Sequence, residues 1–367
     1  MSLPFQLSSD LNTASGFTWI SGPFKPTKGT YYFIGVSAAN PRATNIYEAT
    51  DPTSSWSMVG GASTGLTTLG GIGTAVRGNT LIIISRTISA TTESMHYQKF
   101  DMGGNFSQVS VNLGLSLEPL TTATNSGVGV GIKSNGIGYM SYNGPPTVLM
   151  SGVINQVYYR TWDTTNNFSP NTDVAVTNSG DGVDYVSGNL IIGQDDNVHI
   201  MYKSPTNTFL RTLNSSNVLQ TQQTMASSSY DLFSSSSMSS GGSTYIAASG
   251  DALVSYTSSL NPTAYTVNTN NTLSNVQSYL NIFYSLNYSV STSSITLSTS
   301  EDFGATWSTP TSIQSLTSPF TGEAALSRNG QIYQRGSRVV LPYIYRDGSS
   351  YYYNEYAISG SRYTIVS

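Results

Sequence analysis

The chain has 367 residues with a formal net charge of −4, and only 9% of the residues are charged. This composition excludes the basic stripe that nucleic-acid binding requires, and the absence of cysteine excludes disulfides and thiolate metal sites. Ser, Thr, Asn, 34 Gly and 25 Tyr take the place of the charged residues, a mixture that favours strands and turns over helices. No apolar stretch approaches the ~20 residues that span a bilayer, so we expect an all-β protein without membrane insertion and without a cofactor.

The first predicted strands lie between Phe5 and Phe24 and read as a third and fourth strand without a preceding pair. Beyond them, a pair of strand-like runs, rich in aromatic and β-branched residues and bounded by Gly, Asn, Ser or Pro, recurs along the chain. The first runs are Thr30–Val36, Asn79–Ser85, Gly136–Tyr142, Asn197–Lys203, Ala252–Thr257, Leu280–Leu286 and Arg338–Tyr345. The second runs are Asn45–Ala49, Ser94–Phe100, Gln156–Trp162, Thr208–Leu213, Pro262–Val267, Ser294–Ser298 and Ser350–Tyr356. Many runs are continuously apolar, as expected of strands that are covered on both faces.

A short turn motif follows the sixth pair of runs. Ser300, Asp302, Gly304 and Trp307 match the pattern S-x-D-x-G-x-T-W at every defined position. Glycine accepts a positive φ, the Asp side chain caps turn amides, and the Trp holds the turn in place by packing. The same spacing from Asp to an aromatic residue recurs at Asp51 and Trp56, at Asp101 and Phe106, and at Asp163 and Phe168.

This motif resembles the Asp-box (BNR) repeats of sialidase-like β-propellers, in which it forms a tight structural turn between the third and fourth strands of a blade. The resemblance implies a single β-propeller of about seven four-stranded blades, and the uneven spacing leaves six or eight blades open. Residues 27–367 would form the propeller. Residues 1–26 would close the ring or form an arm that docks on another subunit of an oligomer.

The resemblance also implies a possible hydrolase, but the Phe/Tyr-Arg-Ile-Pro motif of that family is missing. The nearest segment, Phe24-Lys25-Pro26, lacks both the arginine and the spacing. Sialidase chemistry needs several arginines for a substrate carboxylate together with acidic and tyrosine side chains. The candidate catalytic residues are Glu323, Arg338 and Tyr345, and Arg77 and Arg160 are the further arginines that would have to converge at the channel mouth. We therefore expect a non-catalytic propeller, with a sialidase-like glycoside hydrolase as the alternative.

The many tyrosines point to a binding surface. Tyr rings beside Asn, Ser and Thr suit either sugar recognition or a weakly charged protein interface. The candidate ligand-binding residues are Tyr351 and Tyr353. We expect a glycan or protein partner, bound on the surface of an extracellular protein or of a phage or virus particle.

No metal site is predicted. Four aspartates in one repeat could supply oxygen ligands for Ca²⁺, but their spacing matches no known loop, so turn capping is the preferred interpretation: Asp181, Asp184, Asp195 and Asp196. His96 and His199 lie in different strand-like runs without a second histidine nearby. Both are therefore interpreted as packed side chains rather than as a zinc pair.

Overall fold

A computed structural model describes residues 3–7, 11, 20–26, 29–38, 43–63, 69–88, 93–103, 107–117, 128–144, 156–163, 173–177, 185–193, 195–226, 236–238, 244–249, 252–257, 262–265, 273–302, 305–320 and 325–358. These residues form strands and turns, and none of them is helical. The all-β prediction is confirmed. Within the same ranges, no helix is long and apolar enough to cross a membrane.

The strands of the described residues form seven four-stranded antiparallel sheets, which we number I to VII. Sheet I consists of β2 (Ile20–Phe24), β3 (Tyr31–Val36), β4 (Ala43–Ala49) and β5 (Ser57–Ser63). Sheet II consists of β6 (Leu69–Arg77), β7 (Thr80–Ile88), β8 (Glu93–Asp101) and β9 (Ser107–Leu117). Sheet III consists of β10 (Val128–Ile132), β11 (Ile137–Gly144), β12 (Gln156–Asp163) and β13 (Val174–Ala175). Sheet IV consists of β14 (Val186–Ile192), β15 (Val198–Lys203), β16 (Thr208–Leu213) and β17 (Gln223–Ala226).

The remaining sheets follow the same order, except that the last one includes the N-terminal strand. Sheet V consists of β18 (Ser236–Met238), β19 (Thr244–Ser249), β20 (Ala252–Thr257) and β21 (Pro262–Tyr265). Sheet VI consists of β22 (Leu273–Tyr279), β23 (Ile282–Ser289), β24 (Ser294–Ser300) and β25 (Thr311–Ser315). Sheet VII consists of β26 (Tyr333–Arg335), β27 (Arg338–Asp347), β28 (Ser350–Ala357) and, paired outside β28, β1 (Phe5–Gln6).

The predicted pairs of runs are the second and third strands of six sheets. In sheet V the predicted pair corresponds instead to the third and fourth strands, β20 and β21. The pair is shifted by one strand because the sequence predicts no strand at β19, which lies beside a serine-rich stretch.

Alternate residues of a strand pack against opposite neighbouring sheets. In β7, Leu81 and Ile83 pack against sheet I, whereas Ile82 and Ile84 pack against sheet III. All four side chains are fully buried, and burial of a side chain of this size contributes about 1.5–3 kcal/mol. The continuously apolar runs are thus explained, because both faces of the sheet are covered.

Each sheet contacts the next, and the last contacts the first. Buried clusters join I to II, II to III, III to IV, VI to VII and VII to I, and β18 contacts both β14 and β22. The first strands approach each other closely at the centre. A Cβ on Gly73 would lie 2.4 Å from the carbonyl oxygen of Val128 in the neighbouring sheet, so this contact requires glycine. The sheets therefore surround an axis that is lined by their first strands.

The N-terminal residues join the last sheet to the first. β1 pairs with β28, with Phe5 opposite Tyr353, and Leu7 and Leu11 are buried in the cluster between sheets VII and I. β2 (Ile20–Phe24) lies before the predicted boundary at residue 26 and pairs with β3 in sheet I. From β2 to β28 the strands follow chain order from sheet to sheet, whereas β1 pairs with the last strand, β28.

The antiparallel order gives the ring two faces. The turns from first to second strand and from third to fourth strand lie on one face, which we call the turn face. The connections from second to third strand and the crossovers between sheets lie on the other, which we call the crossover face. The first strands run towards the turn face.

Candidate functional site

A cavity of about 520 Å³ lies between the first strands, at the end nearest the turn face. Its described lining comes from the last residues of β6, β10, β14 and β22, from Phe24 of β2, and from residues 329–332 before β26. Five of the seven described sheets, together with the segment that leads into sheet VII, therefore contribute to one concave site. Its volume lies in the range of about 300–1,000 Å³ that is typical of small-ligand sites.

The two sides of this axial cavity differ in chemistry. The side formed by sheets III and IV is apolar and includes Val130, Ile132, Leu190, Ile191 and Ile192. The opposite side carries hydroxyl and amide groups from Thr74, Gln277, Ser278, Asn329 and Gln331. Among the described lining residues, Arg77 is the only one with a charged side chain. An apolar wall facing a neutral polar wall suits a molecule that has both C–H surfaces and hydroxyl groups.

The polar wall is held in place by hydrogen bonds between sheets. Asn329 Nδ2 donates to Thr74 Oγ1 over 3.1 Å, and the same hydroxyl lies 3.0 Å from Ser21 Oγ. Asn329 has a φ of 55°, a conformation that Asn adopts more readily than most residues. These bonds connect sheets I and II with the segment that leads into sheet VII, so the wall is preorganised.

Gln277 has a buried acceptor without a partner. Its Nε2 donates to the carbonyl oxygen of Pro342 over 3.1 Å, which fixes the orientation of the amide because only the nitrogen can donate. Its Oε1 is buried without a hydrogen-bond partner, and the residue is 2% exposed. A buried acceptor left unsatisfied costs about 1–3 kcal/mol.

The Arg77 guanidinium lies at the cavity mouth, and its side chain is 43% exposed. Its Nη1 donates to the carbonyl oxygen of Ile132 over 2.9 Å and lies 3.9 Å from Asp196 Oδ1. Desolvation tends to raise the pKa of Asp196, but hydrogen bonds from Ser134 and the charge of Arg77 lower it below its usual value. The carboxylate therefore stays ionised, and the mouth carries one charge of each sign.

The candidate catalytic residues are not brought together within the described residues. Arg338 is exposed at the start of β27, near the turn face. Tyr345 is 2% exposed near the other end of that strand and packs between sheets VI and VII. Glu323 lies outside the described residues. Ala325, which follows it closely, accepts a hydrogen bond from Arg346 N over 2.9 Å, so Ala325 lies towards the crossover face.

The two further arginines lie in different parts of the molecule. Arg77 ends a first strand at the cavity, whereas Arg160 lies on the third strand of sheet III. The Arg160 guanidinium forms a bidentate pair with Asp173, with Nε 2.7 Å from Oδ1 and Nη2 3.1 Å from Oδ2. These two side chains do not converge on a substrate carboxylate.

The candidate ligand-binding tyrosines are core residues. Tyr351 and Tyr353 are 3% and 0% exposed, because sheets VII and I pack face to face over them. The Tyr353 hydroxyl contacts the hydroxyl of Tyr333 and donates to Glu355 Oε1. Both side chains therefore belong to the buried packing between sheets VII and I, and their role in ligand binding stays a prediction.

Sequence reasoning missed the ion pairs at the seam between sheets VII and I. Arg335 Nη1 donates to Glu355 Oε2 over 2.8 Å, and its Nη2 donates to Asp51 Oδ1 over 2.9 Å. Hydrogen bonds from Thr53, together with the charge of Arg335, lower the pKa of Asp51. Arg335 and Asp51 are 284 positions apart in the chain, so no local spacing could reveal their contact.

The turn at Asp302 has the local geometry that its motif predicts. Asp302 Oδ1 accepts from Thr306 N over 2.8 Å and from Ser300 Oγ over 2.9 Å. Bonds from Thr306, and then from Ser300, lower the pKa of Asp302. Trp307 is half-buried. The carboxylate thus caps the turn after the third strand of sheet VI.

The earlier turns also follow third strands. Asp101 Oδ1 accepts from Gly103 N over 2.8 Å, and Trp56 is 8% exposed, with its Nε1 donating to the carbonyl oxygen of Pro52 over 3.1 Å. Phe106, Phe168 and Gly304, which occupy motif positions, lie outside the described residues. The side chain of Asp163 does as well.

His199 is packed in the core. It is 0% exposed, its Nδ1 lies 2.9 Å from Thr212 Oγ1, and desolvation lowers its pKa to about 4. Asp195 Oδ1 accepts from Asn197 N over 3.1 Å, which is a turn-capping contact. In the part of the chain that the structure describes, no three His, Cys, Asp or Glu side chains are grouped to hold a metal ion. Asp181, Asp184 and the side chain of His96 lie outside that part.

Sheets arranged around an axis, with a cavity between their first strands, define a β-propeller. Among solved structures, an α-L-arabinofuranosidase from Fusarium graminearum in complex with an iminosugar inhibitor gives a TM-score of 0.53 at 9% identity, over 78% of this chain and 92% of that chain. An α-L-arabinanase from Penicillium chrysogenum complexed with arabinobiose gives 0.50 at 11% identity, over 79% and 94%. The Dos1 propeller gives 0.55 at 8% identity, over 95% and 81%. No family model and no curated protein matches the chain. At these identities the likeness concerns the fold alone, and the propeller prediction is confirmed.

Proposed function

We propose that this protein is a glycan-directed β-propeller of the glycoside hydrolase type. The observation that carries the proposal is the axial cavity, in which hydroxyl and amide groups face an apolar wall. The likeness to an arabinofuranosidase and an arabinanase supports it. That likeness favours the hydrolase alternative over the purely non-catalytic role expected from the sequence.

Hydrolysis requires an acidic group at the scissile bond and a second carboxyl group about 5–9.5 Å away in most families. Glu323 is the candidate for one of these groups. Its role is tested separately from the cavity, because Ala325 lies towards the crossover face and the cavity lies nearest the turn face.

The test is a panel of arabino-oligosaccharides, sialyllactose and neutral hexose oligosaccharides, measured for both released reducing sugar and calorimetric binding. Turnover that Glu323→Gln abolishes, with binding retained, supports hydrolysis. Glu301→Gln, which changes an exposed carboxylate in the Asp302 turn, is the matched control and should keep full turnover. The absence of both binding and turnover across the panel refutes the proposal.

A non-catalytic surface role is the second candidate. The observation that favours it is the composition, since a chain with 9% charged residues and 25 tyrosines suits adhesion to glycans or proteins. In that case we propose an extracellular or virion location and treat the Asp51, Asp101 and Asp302 turns as structural Asp-box repeats. Glycan binding without turnover in the same panel would distinguish this role.

A further inference from the structure

We infer that Lys133 and Asn217 form a covalent amide bond, in which the lysine amine replaces the side-chain nitrogen of the asparagine. Lys133 lies in the turn between β10 and β11 of sheet III, and Asn217 lies in the turn between β16 and β17 of sheet IV. The two residues are 84 positions apart, and Lys133 Nζ lies 2.7 Å from Asn217 Oδ1. The bond therefore joins two neighbouring sheets at the turn face, beside Ile132 of the axial cavity. The inference does not depend on the proposed function.

The surroundings of the Lys133 amine disfavour its charged form. The residue is 3% exposed, and the ion pairs of the described residues do not include it. Desolvation lowers the pKa of Lys133, although the charge of Asp196 opposes this effect. A larger fraction of this amine is therefore neutral than in an exposed lysine. The neutral amine is the form that attacks a carbonyl carbon.

Tyr139 contacts both reacting groups. Its ring centroid lies 4.8 Å from Lys133 Nζ, and its hydroxyl donates to Asn217 Oδ1 over 2.6 Å. A donor at this position stabilises the negative charge that develops on Oδ1 when an amine adds to the carbonyl carbon. Burial raises the pKa of Tyr139 to about 12, so the hydroxyl keeps the proton that it donates.

Backbone hydrogen bonds fix both turns. Asn217 N donates to the carbonyl oxygen of Asn214 over 2.8 Å, and Lys133 N donates to the carbonyl oxygen of Ile137 over 2.9 Å. Asn217 has a φ of 63°, a conformation that Asn adopts more readily than most residues. The amine and the amide are thus held in contact before they react, which removes the entropic cost of bringing them together.

The reaction needs no further reagent. The Nζ–Cγ bond forms as the neutral amine of Lys133 adds to Asn217 Cγ, and the Tyr139 hydroxyl stabilises the charge on Oδ1. One proton then passes from Nζ to Nδ2, the Cγ–Nδ2 bond breaks, and ammonia leaves. Asn217 is exposed, so the ammonia passes directly into solvent. The product is a secondary amide, and nothing is oxidised or reduced.

Intact mass spectrometry of the purified wild-type chain tests the inference. We expect a mass below that of the sequence by about 17 Da, the mass of one ammonia. A protease digest should contain one branched peptide that links positions 133 and 217. Lys133→Arg keeps the charge but lacks the amine, and Asn217→Gly accepts the positive φ but lacks the amide. Each variant should show the full mass of its own sequence.

Lys25→Arg is the matched control. Lys25 Nζ also lies close to a tyrosine ring, 5.3 Å from the centroid of Tyr31, and it donates to the carbonyl oxygen of Gln334 over 2.7 Å. That oxygen belongs to the backbone rather than to a side-chain amide, so no ammonia can leave. This variant should keep the mass deficit. Tyr139→Phe keeps the ring but not the donor, and the newly synthesised chain should lose ammonia about a hundredfold more slowly.

A wild-type mass equal to that of the sequence would overturn the inference. A deficit that persists in Lys133→Arg would also overturn it, because the ammonia would then be lost at another asparagine, such as that of Asn135-Gly136. Equal rates in Tyr139→Phe and the wild type would overturn the role of Tyr139 alone. The branched peptide is measured in the wild-type chain, so this result decides the cross-link even if a variant does not fold.

Discussion

Replacing Arg335 by methionine should destabilise the seam between sheets VII and I by about 3 kcal/mol. The Glu355 side chain that it contacts is 6% exposed, whereas the Arg335 side chain is 30% exposed. Removing one partner of a fully buried ion pair costs about 3–5 kcal/mol, which is an upper bound for this partly exposed pair. Tyr353 continues to donate to this carboxylate, so we expect the lower end of that range. The Asp51 side chain is 53% exposed, and an exposed pair of this kind adds at most about 1 kcal/mol.

Urea unfolding followed by tryptophan fluorescence measures this loss, because Trp56 belongs to the cluster at the seam. Arg338→Met is the matched control. Arg338 lies opposite Arg335 in the same hairpin and is exposed, so its replacement should change the free energy of unfolding by less than about 0.5 kcal/mol. The double variant Arg335→Met with Glu355→Gln should lose less than the sum of the two single variants, because both changes remove one shared interaction.

Two results would refute this reasoning. Equal losses for Arg335→Met and Arg338→Met would mean that the ion pairs contribute no more than a surface arginine. Strict additivity in the double variant would mean that Arg335 and Glu355 do not depend on each other.

The remaining predictions concern the core histidine and the N-terminal strand. Burial lowers the pKa of His199 from 6.5 to about 4. Between pH 6.5 and pH 4 the unfolded chain therefore binds a proton on this side chain that the folded chain does not bind. The free energy of unfolding should fall by roughly 3 kcal/mol as the pH drops from above 6.5 to 4. Urea midpoints at pH 7 and pH 4 should show this loss in the wild type but not in His199→Gln, and identical pH dependence in both would contradict it. Deleting residues 1–11 removes the buried Leu7 and Leu11 and exposes the edge of β28, so the melting temperature should fall and aggregation should increase. An unchanged melting temperature with a smaller oligomer in size-exclusion chromatography would instead identify these residues as an intersubunit arm.

The sequence predicted the middle of each sheet better than its edges. Runs such as that of β7 are recognisable because both faces are buried, which demands a continuous series of large apolar residues. The turn at Asp302 is recognisable because a short polar motif makes its own hydrogen bonds. In contrast, β1 has two residues, and its pairing with β28 depends on closure of the whole ring.

The candidate site could not be found in the same way, because the strands that form it have the weakest sequence signals. Where first strands converge on the axis, some positions have room only for glycine: a Cβ on Gly131 would lie 2.6 Å from Leu190 Cδ2. Glycine lowers strand propensity and leaves no side chain to form a recognisable pattern. The polar wall is equally inconspicuous, because Thr74, Gln277 and Asn329 are residue types that occur throughout this chain. What distinguishes Gln277 is that its strand faces the axis and that Pro342 uses only its amide nitrogen. Both facts depend on contacts between sheets VI and VII. The close packing at the propeller centre therefore forms the site from residues that show no recognisable pattern in the sequence.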